Sequence, residues 1–209
     1  MTTRPFERTS LGETVQLADG AVVTVGQLGP DDVPGLRRLH GRLSQRTLYQ
    51  RFMTPTPRLS DRTLAYLADV DHVDREALVA LAGDEIIAVA RYHRMPDTVE
   101  AEIAIVVEDA WQRRGLGRIL LERLSARAWR RGIRVFTGSM LAENIAARAS
   151  LGALFPGAPR EVRGSEVVFR AHLRPLVETT ACVVTIRGLG RYRRRRTAHS
   201  TPSASSRAQ

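Results

Sequence analysis

The sequence contains no lysine and only one cysteine, Cys182, among its 209 residues. A lone cysteine excludes an intramolecular disulfide and a cysteine-based zinc cluster. The histidines show neither HxxxH nor HExxH spacing, so we predict no metal site. No apolar run approaches the roughly 18 residues of a membrane span, and the N-terminus lacks the apolar core of a signal peptide. These absences predict a cytoplasmic protein that makes no membrane contact.

Positive charge is concentrated at the C-terminal end of the chain. The net charge is +10, and all 32 basic residues are arginines. Seven of them lie within residues 187–209, which contain no acidic residue. This segment is poor in apolar residues and rich in Ser and Arg, so we predict disorder from about residue 187. Such a tail can contact nucleic acid or another acidic surface weakly, by counterion release.

The rest of the chain alternates between strand and helix patterns. Apolar and β-branched runs predict strands at 21–28, 76–83, 85–94, 98–107, 133–140 and 161–173. Apolar residues at helical spacing predict helices within 30–43, just after Ser44, and at 59–70, 116–130 and 143–151. This order is a mixed α/β pattern, and it predicts one domain over residues 21–175. We expect a flexible lead-in at 1–20 and an extension at 176–209, in which residues 179–186 fit either a further strand or the tail.

The motif QRRGLG, residues 112–117, lies between a strand pattern and an amphipathic helix pattern. A helix N-terminus presents free N–H groups and a partial positive charge, which together attract an anion. Glycine in a first helical turn lowers helix stability by about 1 kcal/mol relative to alanine. Two glycines there therefore indicate that the exposed backbone has a function. The alternative is an ordinary turn with solvated arginines. We favour a phosphate site because both flanking elements are strongly predicted.

The same six residues match the Q/R-x-x-G-x-G/A motif, and residues 20–173 resemble the GCN5-related N-acetyltransferase (GNAT) superfamily. The resemblance implies an α/β (α+β) fold with a mixed, mostly antiparallel central sheet flanked by helices. It also implies acetyl-CoA as co-substrate, with its pyrophosphate on the turn and its pantetheine arm on the backbone of Val106 and Val107. The implied cofactor-binding residues are Val106, Val107, Gln112, Arg113, Arg114, Gly115, Leu116, Gly117, Arg118 and Asn144.

Two of these residues have a second interpretation. Asn144 also fits an N-terminal helix cap, which is compatible with cofactor binding. The Arg118 side chain also fits, with Arg123 and Arg127, the solvated face of the helix that follows the motif.

Residues 43–53 and 59–81 resemble the N-terminal half of bacterial Pat-type protein lysine acetyltransferases. This implies a protein lysine as acceptor; a small-molecule amine acetyltransferase and a CoA-sensing module with a nucleic-acid-binding tail are the alternatives. Longer relatives of this type carry a regulatory domain, for which we expect no room in this chain. The sequence fits a monomer and a homodimer equally well.

Glu102 is the candidate general base. A lysine amine has a pKa near 10.4, so only about one molecule in 2,500 is neutral at pH 7. Glu102 lies in an apolar strand pattern on the same face as Ala104 and Val106, and apolar surroundings would raise its pKa toward neutrality. In Pat-type relatives a glutamate of this strand is the proposed base. The alternative is a strand-end glutamate that reaches water, as Glu100 would two residues earlier.

No residue is assigned as general acid. Many GNAT enzymes have a tyrosine where this chain has Leu151, and Tyr49, Tyr66 and Tyr92 fit packing or surface roles better. His72 lies in a polar loop that either borders the acceptor groove or is merely solvated.

Overall fold

Eight strands form one mixed sheet within residues 12–54 and 59–175, which are the residues described by this computed structural model. The strands are β1 (Glu13–Gln16), β2 (Val22–Gln27), β3 (Arg75–Ala82), β4 (Glu85–Arg94), β5 (Glu100–Val107), β6 (Val135–Leu141), β7 (Arg160–Arg163) and β8 (Glu166–His172). Their spatial order is β1-β2-β3-β4-β5-β6-β8-β7. Only the pair β5 and β6 is parallel. The predicted mixed, mostly antiparallel sheet is confirmed.

Helices cover both faces of this sheet. On one face α1 (Val33–Arg42), α2 (Gln45–Phe52) and α3 (Asp61–Ala68) share an apolar core with β3 and β4. On the other face α4 (Leu116–Arg130) and α5 (Ile145–Leu154) pack on the larger core. Short 3-10 turns at Pro30–Asp32 and Asp109–Trp111 precede α1 and the QRRGLG motif. Among the described residues, no helix has the length and apolar character needed to cross a membrane.

Strand β1 shows that the prediction of a flexible lead-in at 1–20 is wrong for Glu13–Gln16. This segment pairs antiparallel with β2, and Val15 and Leu17 are buried in the larger core. The strand is only four residues long, so its pattern is weak, and burial against distant helices supplies most of its stability. The preceding residues, 1–11, lie outside the described part.

The other end of the domain holds two strands where the sequence predicts at least one. β7 and β8 form a hairpin around Gly164, which has a positive φ of 61°. The predicted C-terminal extension, 176–209, with its ambiguous stretch 179–186, lies outside the described residues.

Candidate functional site

The parallel strands β5 and β6 separate soon after they pair. Their register runs only from Glu100 opposite Val135 to Glu102 opposite Thr137. Beyond Glu102 no described strand pairs with β5 on the β6 side, although β4 continues to pair with it on the other side up to Val107. The two strands therefore enclose an open gap, which we call the wedge, bounded on the β5 side by residues 103–107.

The backbone of β5 alternates between β4 and the wedge. The Glu108 N–H donates to the Ile87 carbonyl of the β4 side at 2.8 Å. Antiparallel alternation then directs the peptide groups of Val106 toward β4 and those of Ile105 and Val107 into the wedge. The predicted pair Val106 and Val107 is thus corrected to Ile105 and Val107, because neighbouring residues of a strand cannot both face one edge. The Val106 side chain packs beneath α1–α3.

The QRRGLG turn closes the end of β5 and starts α4. Arg113 and Gly115 both have left-handed backbone conformations, with φ of 61° and 83°. The first bond inside the helix runs from the Ile119 N–H to the Gly115 carbonyl at 3.1 Å. The N–H groups of residues 116–118 therefore have no partner within the helix. They form the anion-attracting helix end that the sequence predicts.

The two glycines of the turn have different physical roles. Gly115 carries the positive φ, which costs a residue with a side chain roughly 1–2 kcal/mol. A Cβ atom on Gly117 would lie 3.5 Å from Ile105 Cδ1 and 3.8 Å from Val107 Cγ2. Alanine would fit there in ordinary contact, whereas a larger side chain would crowd β5. Buried Leu116, between the two glycines, anchors the helix start in the core.

The side chains of the turn are mostly engaged by the protein. Arg114 pairs with Asp19 at 3.2 Å and lies over the Trp111 ring at 4.9 Å. Arg118 pairs with Glu122 at 2.7 Å on the exposed helix surface. Arg113 is exposed. The structure thus brings the predicted cofactor-binding residues 112–118 together in one turn. Because most of the polar side chains are engaged by the protein, the backbone of the turn is the part that remains accessible.

The arginines farther along α4 do not form a simple solvated face. Arg123 pairs with Glu13 of β1 at 2.7 Å. Arg127 reaches the buried carboxylate of Glu76 at 3.3 Å. The solvated-face prediction is therefore wrong for Arg127, because a buried carboxylate needs a partner from a helix packed above it.

A hydrogen-bonded cluster, which the sequence did not reveal, ties α2 to the turn. The Asp109 carboxylate accepts from the Ser44 hydroxyl at 2.6 Å and the Thr47 hydroxyl at 2.7 Å. Gln112 Nε2 donates to Thr47 Oγ1 at 3.1 Å and to the Val107 carbonyl at 3.0 Å. Gln112, which the sequence predicts as a cofactor ligand, thus links α2 to the end of β5 within the protein. Only the N-cap character of Ser44 signalled part of this cluster.

These hydrogen bonds favour the ionised form of the Asp109 carboxylate. Burial alone would raise its pKa, but the hydrogen bonds from Ser44 and Thr47 outweigh burial and hold the pKa below its ordinary value. The carboxylate therefore stays ionised and keeps α2 attached to the turn at neutral pH.

Glu102 lies at the closed end of the wedge, on the face covered by α1–α3. It shares this face with Ala104 and Val106, as predicted, but its direct neighbours across the sheet are His93 and Thr137. Its side chain is exposed, so the predicted apolar surroundings are wrong. The sequence pattern predicts the strand that contains Glu102, but it does not show the polar neighbours that β4 and β6 supply.

Arg51 of α2 lies above the same part of the sheet. Burial lowers the pKa of its guanidinium, and attraction by Glu102 partly opposes this shift. Helix α2 packs against both β5 and β6, so it places a cation close to the candidate base.

Asn144 caps α5, where its side-chain oxygen accepts from the Ala147 N–H at 3.1 Å. The N-cap interpretation is therefore confirmed, while a contact between Asn144 and pantetheine stays a prediction. Leu151 is buried in the core.

Two other residues considered from the sequence lie near the buried Glu76 carboxylate beneath α4. Tyr92 is buried and donates to the Val73 carbonyl at 2.9 Å, and burial together with Glu76 raises its pKa to about 12. His72 Nδ1 lies 2.7 Å from Glu76 Oε1. The structure thus joins His72 to a buried carboxylate on the face opposite Glu102.

Comparisons with known proteins agree with this arrangement. Residues 43–151 match the model of the acetyltransferase (GNAT) family. The chain is 34% identical over 142 residues to Acetyltransferase Pat of Mycolicibacterium smegmatis. The aligned region covers 64% of this chain and 41% of that protein. The chain thus spans about two fifths of that relative's length.

Two solved structures share the fold. The GNAT domain of S. lividans PAT superimposes with a TM-score of 0.72 at 32% identity, covering 78% of this chain and 97% of that domain. The structure of yncA from Salmonella typhimurium with its cofactor acetyl-CoA gives a TM-score of 0.60 at 20% identity, covering 77% of this chain and 99% of that one.

Proposed function

Because the chain belongs to the acetyltransferase (GNAT) family, we propose that it transfers the acetyl group of acetyl-CoA to a primary amine, and that this amine is a protein lysine. The observation that carries the proposal is the wedge between β5 and β6, which leads from Glu102 to the free N–H groups of residues 116–118.

The wedge supplies binding groups for the pyrophosphate, the pantetheine arm and the thioester of acetyl-CoA. The N–H groups of residues 116–118 and the positive end of α4 suit the pyrophosphate. The peptide groups of Ile105 and the N–H of Val107 suit the pantetheine amides, by the same pairing that a further strand would make. At the narrow end, an N–H of β5 suits the thioester oxygen, whose negative charge grows as the amine attacks.

Glu102 is proposed to accept the proton that activates the amine. A lysine ammonium gives its proton to the carboxylate, directly or through one water, and the neutral nitrogen attacks the thioester carbon. The new C–N bond forms, the second amine proton passes to solvent, and the C–S bond breaks. The CoA thiolate takes a proton from water, since no general acid is assigned. A base of this kind contributes about 10²–10⁴-fold in rate.

A protein acceptor is favoured by the N-terminal half of the domain. Residues 43–53 and 59–81 resemble Pat-type enzymes, and the Pat relative matches this chain at 34% identity. Glu102 is exposed on the α1–α3 face, where a lysine side chain of a protein can approach it.

The absence of lysine from this chain permits a clean test of the acceptor. The purified protein is incubated with labelled acetyl-CoA and either a lysate proteome or a panel of small amines. We expect acetyl-lysine in proteins of the lysate, and none of it can come from side chains of the enzyme. Turnover confined to small amines would contradict the protein acceptor, and no turnover with either would contradict the proposed function.

A further inference from the structure

A small cavity lies between the sheet and helices α1–α3, on the same face of the sheet as Glu102. Its volume is about 50 Å³, and most of its lining is aliphatic, including Ala104 and Val106 of β5. This volume is several times the minimum of about 10–15 Å³ that one water molecule needs, so the cavity admits a small polar group. Two side chains of its lining are arginines, Arg51 and Arg91.

Both arginines are half-buried and lack an acidic partner. Burial lowers the pKa of Arg51, and burial together with repulsion by Arg51 lowers the pKa of Arg91 to about 10. Arg51 stacks over the Phe52 ring at 4.9 Å, and Arg91 donates to the Leu67 carbonyl at 2.9 Å. In the described part of the chain, neither has a carboxylate within ion-pair distance.

The local charge does not balance. Two cations line the same cavity and repel one another, and Glu102, which attracts Arg51, offsets only one of them. Arg75 adds further positive charge that acts on Arg91. Buried charges in proteins are normally paired, and an unpaired one in a cleft is typical of a ligand site.

The cavity has a defined position relative to the candidate base. Arg91 lies opposite Ala104 in the register of β4 and β5, whereas His93 lies opposite Glu102. Arg91 is thus the diagonal neighbour of Glu102, at about 7–8 Å between Cα atoms. In an extended acceptor peptide, residues two apart point to the same side and lie about 6.5–7 Å from one another. An acidic residue at this spacing from the lysine would therefore reach the cavity while the amine lies at Glu102.

We propose that Arg51 and Arg91 bind a carboxylate of the acceptor, so that the enzyme selects amines that have an acidic group nearby. This rests on the proposed function. For a protein acceptor, the group is the side chain of an aspartate or glutamate beside the acetylated lysine. The guanidinium groups pair with this carboxylate through charge-assisted hydrogen bonds while Glu102 takes the amine proton.

Matched acceptors test the proposal in the full chain. Capped peptides with one central lysine are compared in pairs, with glutamate or glutamine at each flanking position in turn. Free lysine is compared with lysine amide to detect an α-carboxylate as the source. We expect kcat/KM at least about tenfold higher for the acidic member of one pair, mainly through a lower KM.

Arg51→Met should reduce this preference to about onefold, because it removes one of the two cations that pair with the acceptor carboxylate. Arg46→Met, an exposed arginine of the same helix, is the matched control and should keep the preference. Arg91→Met provides a second variant in case Arg51→Met does not fold.

Three results distinguish this proposal from the proposed function. If the glutamate and glutamine peptides are acetylated equally well, the proposed carboxylate site is wrong, while protein acetylation is still supported. A preference confined to free lysine over its amide would keep the carboxylate site but contradict the protein acceptor. If Arg51→Met instead lowers turnover of malonyl-CoA or succinyl-CoA relative to acetyl-CoA, the arginines serve the acyl group, and the proposal is wrong.

Discussion

At the scale of single residues, the site depends on backbone groups more than on charged side chains. The arginines of the QRRGLG turn are paired or solvated, whereas the N–H groups of residues 116–118 are left without helical partners. Gly115 makes this possible because its φ of 83°, at the N-cap, turns the chain into the first residue of α4.

Gly115→Ala should weaken acetyl-CoA binding several-fold. Alanine at a positive φ costs roughly 1–2 kcal/mol, and relief of this strain shifts the N–H groups that face the wedge. Gly132, with a φ of 82° at the other end of α4, is a matched control. Gly132→Ala should cost similar stability in thermal unfolding while leaving the Kd for acetyl-CoA, measured by calorimetry, unchanged. Equal Kd values for both variants would argue against a binding role for the turn.

At the scale of elements, helix α2 is attached to both halves of the site. Its N-terminus is bonded through Asp109 to the turn before α4, and its C-terminal part brings Arg51 above Glu102. A displacement of α2 would therefore disturb the QRRGLG turn and the arginine-lined cavity together.

Asp109→Asn should lower the free energy of unfolding by about 1 kcal/mol at pH 7, since an amide has one acceptor oxygen where the carboxylate has two and carries no charge. The pKa of Asp109 is below its ordinary 3.8, so its contribution is complete above that value and is lost as pH falls through the lower folded value. The difference between wild type and variant should thus be constant from pH 7 to 5 and shrink below about pH 4. Denaturant unfolding at several pH values measures it.

Asp84→Asn, in the exposed β3–β4 turn, is the control and should show little difference at any pH. A destabilisation of Asp109→Asn that does not decrease in acid would rule out the charge as its cause.

Sequence patterns predicted the elements that have strong periodicity. The hairpin of β3 and β4, strand β5 and helix α4 all lie where the patterns indicated. Strand β1 was missed because its pairing and its ion pair with Arg123, 110 positions away, are tertiary contacts. The cluster around Asp109 and the Arg51–Arg91 cavity were missed for the same reason, since neither leaves a local spacing in the sequence.

At the scale of the whole molecule, the two faces of the sheet carry different parts of the candidate site. One face carries α4, whose start faces the cofactor end of the wedge. The other face carries α1–α3, the Glu102 side chain and the arginine-lined cavity. In the proposed mechanism, a thioester from one side and an amine from the other meet in the wedge between β5 and β6.

The most direct test of this account measures acetyl transfer by Glu102→Gln beside Glu100→Gln. Glu100 lies two residues earlier on the same strand face and pairs with Arg170, so it is a matched carboxylate without a catalytic role. We expect Glu102→Gln to lower kcat/KM by about 10²–10⁴-fold with an unchanged Kd for acetyl-CoA, and Glu100→Gln to stay close to wild type. Unchanged turnover by Glu102→Gln on every acceptor would contradict the account.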